Sequence, residues 1–223
     1  MAIDQALLET ADVPSIRFYR WDHPALSFGY FGRYGDVAHY APEHDLVRRW
    51  TGGGIVFHGD DLTYSIIIPD SAELFAASSK SIYSAIHSAL RDALVKNGEH
   101  AELASVAGVA DAGTAVGDRG YKDACFANPV QADVLVNGRK VAGAAQRWTR
   151  AGLLHQGTIQ LATGRVRVAA ATGHVDLGED FEMRFAQQLS DKITMHNLDQ
   201  DIVDRAQTVA AQKYGSDVWL RKR

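Results

Sequence analysis

Hydrophobic positions change their period several times along the chain, and each change marks an element. "IDQALLETA" spaces its apolar residues three and four apart and predicts a short opening helix. "SIRFYRW" alternates and "PALSFGYFG" is rich in aromatic residues, so both predict strands. "GIVFHGDDLTYSIIIP" predicts two strands around the polar turn Gly59-Asp60-Asp61, ended by Pro69. From Ser79 to Asn97 the helical period returns. Ile82, Ile86, Ala89, Leu90, Ala93 and Leu94 share one face, Ser78 or Ser79 can cap the start, and Gly98 can end it.

Residues 105–129 are rich in Gly, Ala and Asp and show no period. A stretch of that length without structure is usually a functional loop or lid. "ADVLVNGRKVAGAAQR" predicts a hairpin turning at Asn137-Gly138, and "GLLHQGTIQLA" predicts a further strand. Amphipathic stretches at about 180–190 and 199–213 predict two closing helices. No internal repeat is visible. Helices fall between groups of strands, so the expected architecture is α+β, a largely antiparallel sheet flanked by helices. Residues 1–223 are expected to form a single catalytic domain without a C-terminal accessory domain.

Composition narrows this picture only slightly. An apolar content of 46% and a charged content of 22% suit a globular protein. A net charge of −4 gives no reason to expect nucleic acid, and the terminal "RKR" reads as a solvated end. No apolar run reaches the roughly 18 residues of a membrane helix. The opening "MAIDQALLET" lacks the charged-then-apolar pattern of a leader, so a cytoplasmic protein is expected. A single cysteine, Cys125, excludes an internal disulfide and a Cys-rich metal site. Most lone cysteines of this kind are small buried hydrophobes.

Three short stretches carry candidate chemistry. In "RRWTGGGIVFH", an arginine pair runs into Gly52, Gly53 and Gly54, and His58 follows. Three adjacent glycines are entropically costly. They can make a bulge, or let the backbone approach a ligand and aim its N–H groups at an anion. Neither a Walker loop nor a Rossmann fingerprint fits. In "NGRKVAGAAQR", Lys140 follows the hairpin turn, and small residues beyond it leave room for a ligand; the alternative is a solvent-facing strand lysine. In "DACFANP", Cys125 stands fifteen residues before Lys140.

Taken together, "RRWTGGGIVFHGDDLTYSIIIP" and "GRKVAGAAQR" resemble the lipoate–protein ligase A family of the biotin/lipoyl protein ligase superfamily. "MAIDQALL" and "RFYRWDHPALSFGYF" are similar to that family too, and the resemblance runs from Met1 to about Leu161. The G-R-G-R loop of biotin ligases is absent. The resemblance implies that Arg49, Gly52, Gly53, Gly54 and His58 wall the acyl donor site, and that Lys140 binds the reacting acyl group. Asp133 would orient Lys140 or the hairpin, and backbone near Gly143 would help hold an oxyanion. His58 and His155 are candidates for proton shuttles or for hydrogen-bonded structural histidines.

Two chemistries occur on this fold. A ligase activates lipoate with ATP and Mg2+ and can work with an accessory chain; a transferase takes octanoyl from acyl carrier protein and needs no cofactor. Three features favour the transferase. About sixty residues follow the last strand motif, which leaves little room for an accessory domain. "CFANP", at fifteen residues from Lys140, is similar to the site of the cysteine-dependent octanoyltransferases of the LipM type. Ala132-Asp133 replaces the Asn-Asp pair of ligases. The implied reaction carries octanoyl or lipoyl through a Cys125 thioester to a lipoyl-domain lysine, as in a glycine cleavage H protein or a dehydrogenase E2, by a monomeric enzyme. A relative that only binds carrier proteins or lipoyl domains is a third alternative. Three departures stand out: no strand precedes the first helix, "LHQGTI" replaces an "HG[ST]" motif, and "GYFGRY" lacks a usual glutamine.

Overall fold

The computed structural model describes residues 1–105, 129–162 and 173–222. The organising element is the strand Asp61–Pro69, β5, all nine residues of which are buried. It lies second in a six-stranded sheet of order β1-β5-β9-β8-β7-β6. The other members are Ser15–Tyr19 (β1), Ala101–Leu103 (β6), Val134–Val136 (β7), Arg139–Trp148 (β8) and Gly152–Gln160 (β9), and every pairing is antiparallel. Ala25–Phe28 (β2), Asp45–Arg48 (β3) and Ile55–His58 (β4) form a second sheet of order β3-β2-β4, in which β2 and β3 are parallel and the short helix Tyr34–Val37 (α2) lies between them in the chain.

Side chains alternate across a strand, so the two faces of β5 meet different surroundings. Leu62, Tyr64, Ile66 and Ile68 enter the main core with Ile82, Ile86, Leu90 and Leu94 of the helix Ser79–Lys96 (α3). Ile67 packs with Leu154 and with Leu8 of the opening helix Ala2–Thr10 (α1). Asp61, Thr63 and Ser65 share that second face, which makes it polar inside the fold. The Ser78 hydroxyl caps α3 by accepting from the Ser81 N–H at 3.1 Å, and Gly98 lies just past its end at φ +91°. Asn137 and Gly138 turn the β7–β8 hairpin at φ +51° and +72°.

The closing helices form as the periodicity predicts. Phe181–Leu189 (α4) packs on α3. Gln200–Val209 (α5) lies on α1 and runs into a π-helical turn at Ala210–Tyr214. The two strands expected around Gly59-Asp60-Asp61 form, β4 in the small sheet and β5 in the large one. Strands β3 and β6, of four and three residues, escape the sequence pattern because they are too short to show a period. The loop expected over 105–129 lies outside the described residues except at its two ends, and Cys125 lies outside them too.

Arg48 ties the small sheet to the C-terminal segment. Only 1% exposed, it donates to the carbonyls of Tyr30, Gly32, Trp219, Leu220 and Lys222. The Trp219 indole N–H returns a bond to the Arg48 carbonyl at 3.0 Å. A planar fork is needed to reach so many acceptors, and an ammonium cannot. Arg48→Lys is therefore expected to lower stability by about 2 kcal/mol or more, because buried carbonyls lose charged donors. Urea unfolding measures this; a change below about 0.5 kcal/mol, the range of a neutral surface substitution, would mean those carbonyls find other partners.

Candidate active site

A cleft opens between the two sheets and holds about 430 Å³ of empty space, its open mouth included. On the large-sheet side Thr63, Gln156, Thr158, Gly143 and Ala145 line it; on the other side stand Ser27, Val56, His58, Arg49 and Gly53. The register explains the first group, since Thr63 pairs with Thr158, Thr158 with Gly143 and Gln156 with Ala145. Tyr19, Trp21 and Met1 also line the cleft, with Ala144 and Gly157.

Lys140 and Asp133 form a buried ion pair against this cleft. The Lys140 Nζ lies 2.7 Å from Asp133 Oδ2, with the two side chains 2% and 0% exposed. Asp133 also accepts from the Tyr83 hydroxyl at 2.5 Å and from the Val130 N–H at 2.7 Å. Tyr83 in turn accepts from the Ala144 N–H. Burial, followed by the charge of Asp133, pushes the Tyr83 phenol well above its usual range, so it remains a donor. Gly143 makes room for the ammonium: a Cβ there would sit 2.5 Å from Lys140 Cε and 2.7 Å from Nζ. Gly143 itself lines the cleft, so the ammonium occupies the place that a side chain at this position would take.

The opposite wall is held by a chain of hydrogen bonds. Asp61 Oδ2 lies 2.9 Å from His58 Nδ1, and His58 Nε2 lies 2.6 Å from Ser27 Oγ. Arg49 Nη1 donates to Ser27 Oγ at 2.8 Å, while its Nη2 donates to the carbonyls of Gly52 and Gly54. Burial lowers the His58 pKa against the opposing pull of Asp61, so the ring is neutral near pH 7. The directions then follow: Nδ1–H donates to Asp61, Nε2 accepts from Ser27, and Ser27 accepts from Arg49. Trp21 stacks on His58 at 4.2 Å between ring centroids.

Arg49 thus pins the glycine run from inside. Gly53 has φ +89°, and a Cβ on it would fall 3.2 Å from Arg49 Nη2 and 3.5 Å from the Ala145 methyl across the cleft. Gly29, at the end of β2, would place a Cβ 2.1 Å from the Gly53 carbonyl oxygen, so the run can rest there only on a glycine. Gln156 occupies the "HQG" position and is only 5% exposed. It donates to Asp4 Oδ2 at 2.7 Å, and its Oε1 accepts from Thr51 at 2.9 Å, joining the glycine run to α1. Its neighbour His155 points to the other face, among the rings of Tyr64, Tyr83 and His87, and does not line the cleft.

The family model of the lipoyl protein ligase A/B catalytic domain matches residues 1–203. The chain belongs to that family. Octanoyltransferase LipM of Bacillus anthracis is 29% identical across the whole chain and 93% of its own length, and that of Symbiobacterium thermophilum is 32% identical with the same coverage. Octanoyltransferase LipM of Oceanobacillus iheyensis is 34% identical over 172 residues, which span 72% of this chain and 59% of that protein. Among solved structures, a T. acidophilum protein with bound lipoic acid superposes with TM-score 0.76 at 19% identity, covering all of this chain and 92% of that one. Lipoate-protein ligase A bound with ATP gives 0.74 at 19% identity, over 99% of this chain and 92% of that one. At that identity the likeness is one of fold.

The structure brings Arg49, Gly53, His58 and Gly143 to one cleft and sets the Lys140–Asp133 pair against Gly143; the Gly52 and Gly54 carbonyls serve Arg49. Sequence reading did not single out Ser27, Gly29, Tyr83 or Gln156 for the site. A serine alternating with buried apolar neighbours in "ALSF" was the available signal for the first, since such a serine needs a buried partner. Among the described residues no group of three or more His, Cys, Asp or Glu side chains is arranged to hold a metal, and no helix is long and apolar enough to cross a membrane.

Two predictions follow from these walls. Burial lowers the pKa of His58, His87 and His155, that of His87 to about 4. The unfolded chain binds these protons from about pH 6.5 downward and the folded chain does not. Stability is therefore full above pH 6.5 and is lost as pH falls toward 4. His87 alone should remove about 2 kcal/mol between pH 7.5 and 5, and His87→Gln should flatten the slope. Urea titrations at the two pH values test this, and equal slopes for both proteins would contradict it. Separately, Gly53→Val should abolish binding of an acyl donor while the melting temperature falls by only a few degrees. Normal binding by the folded fraction of a strongly destabilised variant would make the glycine run purely structural.

Proposed function

We propose that this protein is an octanoyltransferase of protein lipoylation, which moves octanoyl from acyl carrier protein through a Cys125 thioester to a lysine of a lipoyl domain. Full-length similarity to octanoyltransferases supports the reaction class. The observation that carries the site assignment is the buried Lys140–Asp133 pair, whose ammonium takes the place of a side chain at cleft-lining Gly143. In the first step the Cys125 thiolate attacks the donor carbonyl; a new C–S bond forms, the carrier's C–S bond breaks, and the carrier thiolate takes a proton. In the second step the acceptor amine attacks, the amide forms, and Cys125 departs as thiolate while the amine loses its proton. Both steps start from a thioester, the first exchanging it for another and the second running downhill to an amide, so no cofactor is required. A nearby ammonium favours the thiolate and an oxyanion alike. The ATP-dependent ligase reaction is the less supported reading, since likeness to an ATP-bound ligase is likeness of fold. Residues 1–223 would act as one catalytic unit.

Intact mass spectrometry after incubation with octanoyl-acyl carrier protein tests the proposal. Wild type should gain a hydroxylamine-labile octanoyl group and Cys125→Ala should gain none. Full transfer by Cys125→Ala, or transfer only from free acid with ATP, would overturn it.

Lys140 needs a test that separates stability from chemistry, because removing one member of a buried pair leaves the other uncompensated and costs about 3–5 kcal/mol. Lys140→Met alone should therefore be unstable, while Lys140→Met/Asp133→Asn should recover most of the loss. The double variant should still turn over at least about 100-fold more slowly than wild type. Recovery of activity together with stability would reduce the pair to a structural one.

A further inference from the structure

The sequence leaves the terminal basic residues as a solvated end, but the structure gives them a place. Lys222 Nζ lies 4.8 Å from the ring centroid of Tyr30 and donates to the Tyr30 hydroxyl at 2.7 Å. The Arg147 guanidinium lies over Tyr30 at 5.1 Å and over Trp50 at 5.4 Å. Lys213 Nζ lies over Trp50 at 4.1 Å and over Trp219 at 4.5 Å. Three cations from distant parts of the chain thus share one aromatic platform. Phe31, 84% exposed, stands edge-on to Tyr30 beside them.

The platform adjoins the cleft. Arg147 is two residues beyond Ala145 on β8 and shares its face, and Ala145 lines the cleft. Trp50 leads into the glycine run, and the Tyr30 N–H donates to the Thr51 carbonyl at 2.9 Å. Among the described residues no carboxylate lies within salt-bridge distance of Arg147, Lys213 or Lys222. Glu9, the acid acting on Lys213, is itself bound to Arg205 at 2.7 Å. Partial burial, then the charge of Arg147, with Lys222 adding to it, brings the Lys213 pKa down to about 8. On a chain of net charge −4, like charge has been gathered here without its complement. Arginine and aromatic residues around an exposed ring are the composition of an interface centre.

We infer that Arg147, Lys213 and Lys222, with Phe31 as an apolar anchor, form the docking surface for the acidic protein that carries the acyl donor. The inference rests on the transferase reading for its partner. Charge chooses the donor over the acceptor. A carrier's prosthetic arm is joined by a phosphodiester, an anion that must pass the mouth of the cleft. The acceptor's reacting group is a lysine ammonium, which three cations repel.

The test compares wild type with Arg147→Gln/Lys222→Glu and with Phe31→Ala, both at exposed or half-buried positions outside the cleft lining. Octanoyl-acyl carrier protein is one donor, and octanoyl-N-acetylcysteamine, a small uncharged thioester, is the other. The charge variant should raise KM for the carrier about tenfold or more at low salt and lose most of the salt dependence. Phe31→Ala should raise KM several-fold at all salt concentrations. Acylation by the small thioester should stay within twofold of wild type. Calorimetric binding of the carrier to Cys125→Ala protein, with and without the charge variant, decides the matter independently of turnover. Undiminished carrier binding by the variant, or a defect confined to KM for the lipoyl domain, overturns the inference. A carrier that binds through this patch without acylating Cys125 would leave the docking surface standing and refute the transferase reading.

Discussion

An ammonium and a carboxylate are stable inside a protein only when they face each other and their remaining hydrogen-bonding capacity is used. Lys140 and Asp133 meet that condition through Tyr83 and the Val130 N–H, and much of the site follows from it. The pair requires a glycine at 143, because any side chain would occupy the ammonium's space. It requires α3 to lie where Tyr83 can reach over to Asp133 and receive the Ala144 N–H. It also fixes the backbone before it: Ala132 holds φ +68°, a left-handed conformation unfavourable for alanine, between a bond to the Ala104 carbonyl and one from His87 Nδ1 to its own.

Across the cleft the constraint differs. Asp61, His58, Ser27 and Arg49 bond to one another in series, and Arg49 also donates to the glycine carbonyls. The two walls are linked by β5, which sends Tyr64 into the core beneath the ion pair and Asp61 and Thr63 toward the cleft. Rigidity of this kind suits a site that must hold an acyl group still while two different nucleophiles approach it. Both nitrogens of His58 are engaged within the wall, Nδ1 with Asp61 and Nε2 with the Ser27 hydroxyl that Arg49 also reaches.

The period of the apolar residues was enough to read α1, α3, β5, β8, β9 and the two long closing helices, because each is long and buries one or both faces. It could not assign β4 and β5 to separate sheets, since strand pairing depends on partners distant in sequence. The glycine run and "GRK" were legible because their residue types are uncommon in that order. Gly29 and Ser27 were not, because their importance lies in what faces them: the Gly53 carbonyl 2.1 Å from a would-be Cβ, and the Arg49 guanidinium. The basic tail is exposed as expected, but its ring contacts were not legible for the same reason, the aromatic platform being assembled from Tyr30, Trp50 and Trp219.

The proposed reaction depends on a buried, oriented ammonium serving a cysteine thiolate. Cys125 is the only cysteine, so its alkylation rate reports its ionisation without interference. That rate, measured with iodoacetamide from pH 5 to 10 in wild type and in Lys140→Met/Asp133→Asn, is the most direct test. The account predicts a wild-type midpoint below the ordinary thiol value of about 8.5 and an upward shift of about one unit or more in the double variant. Superimposable profiles would contradict it.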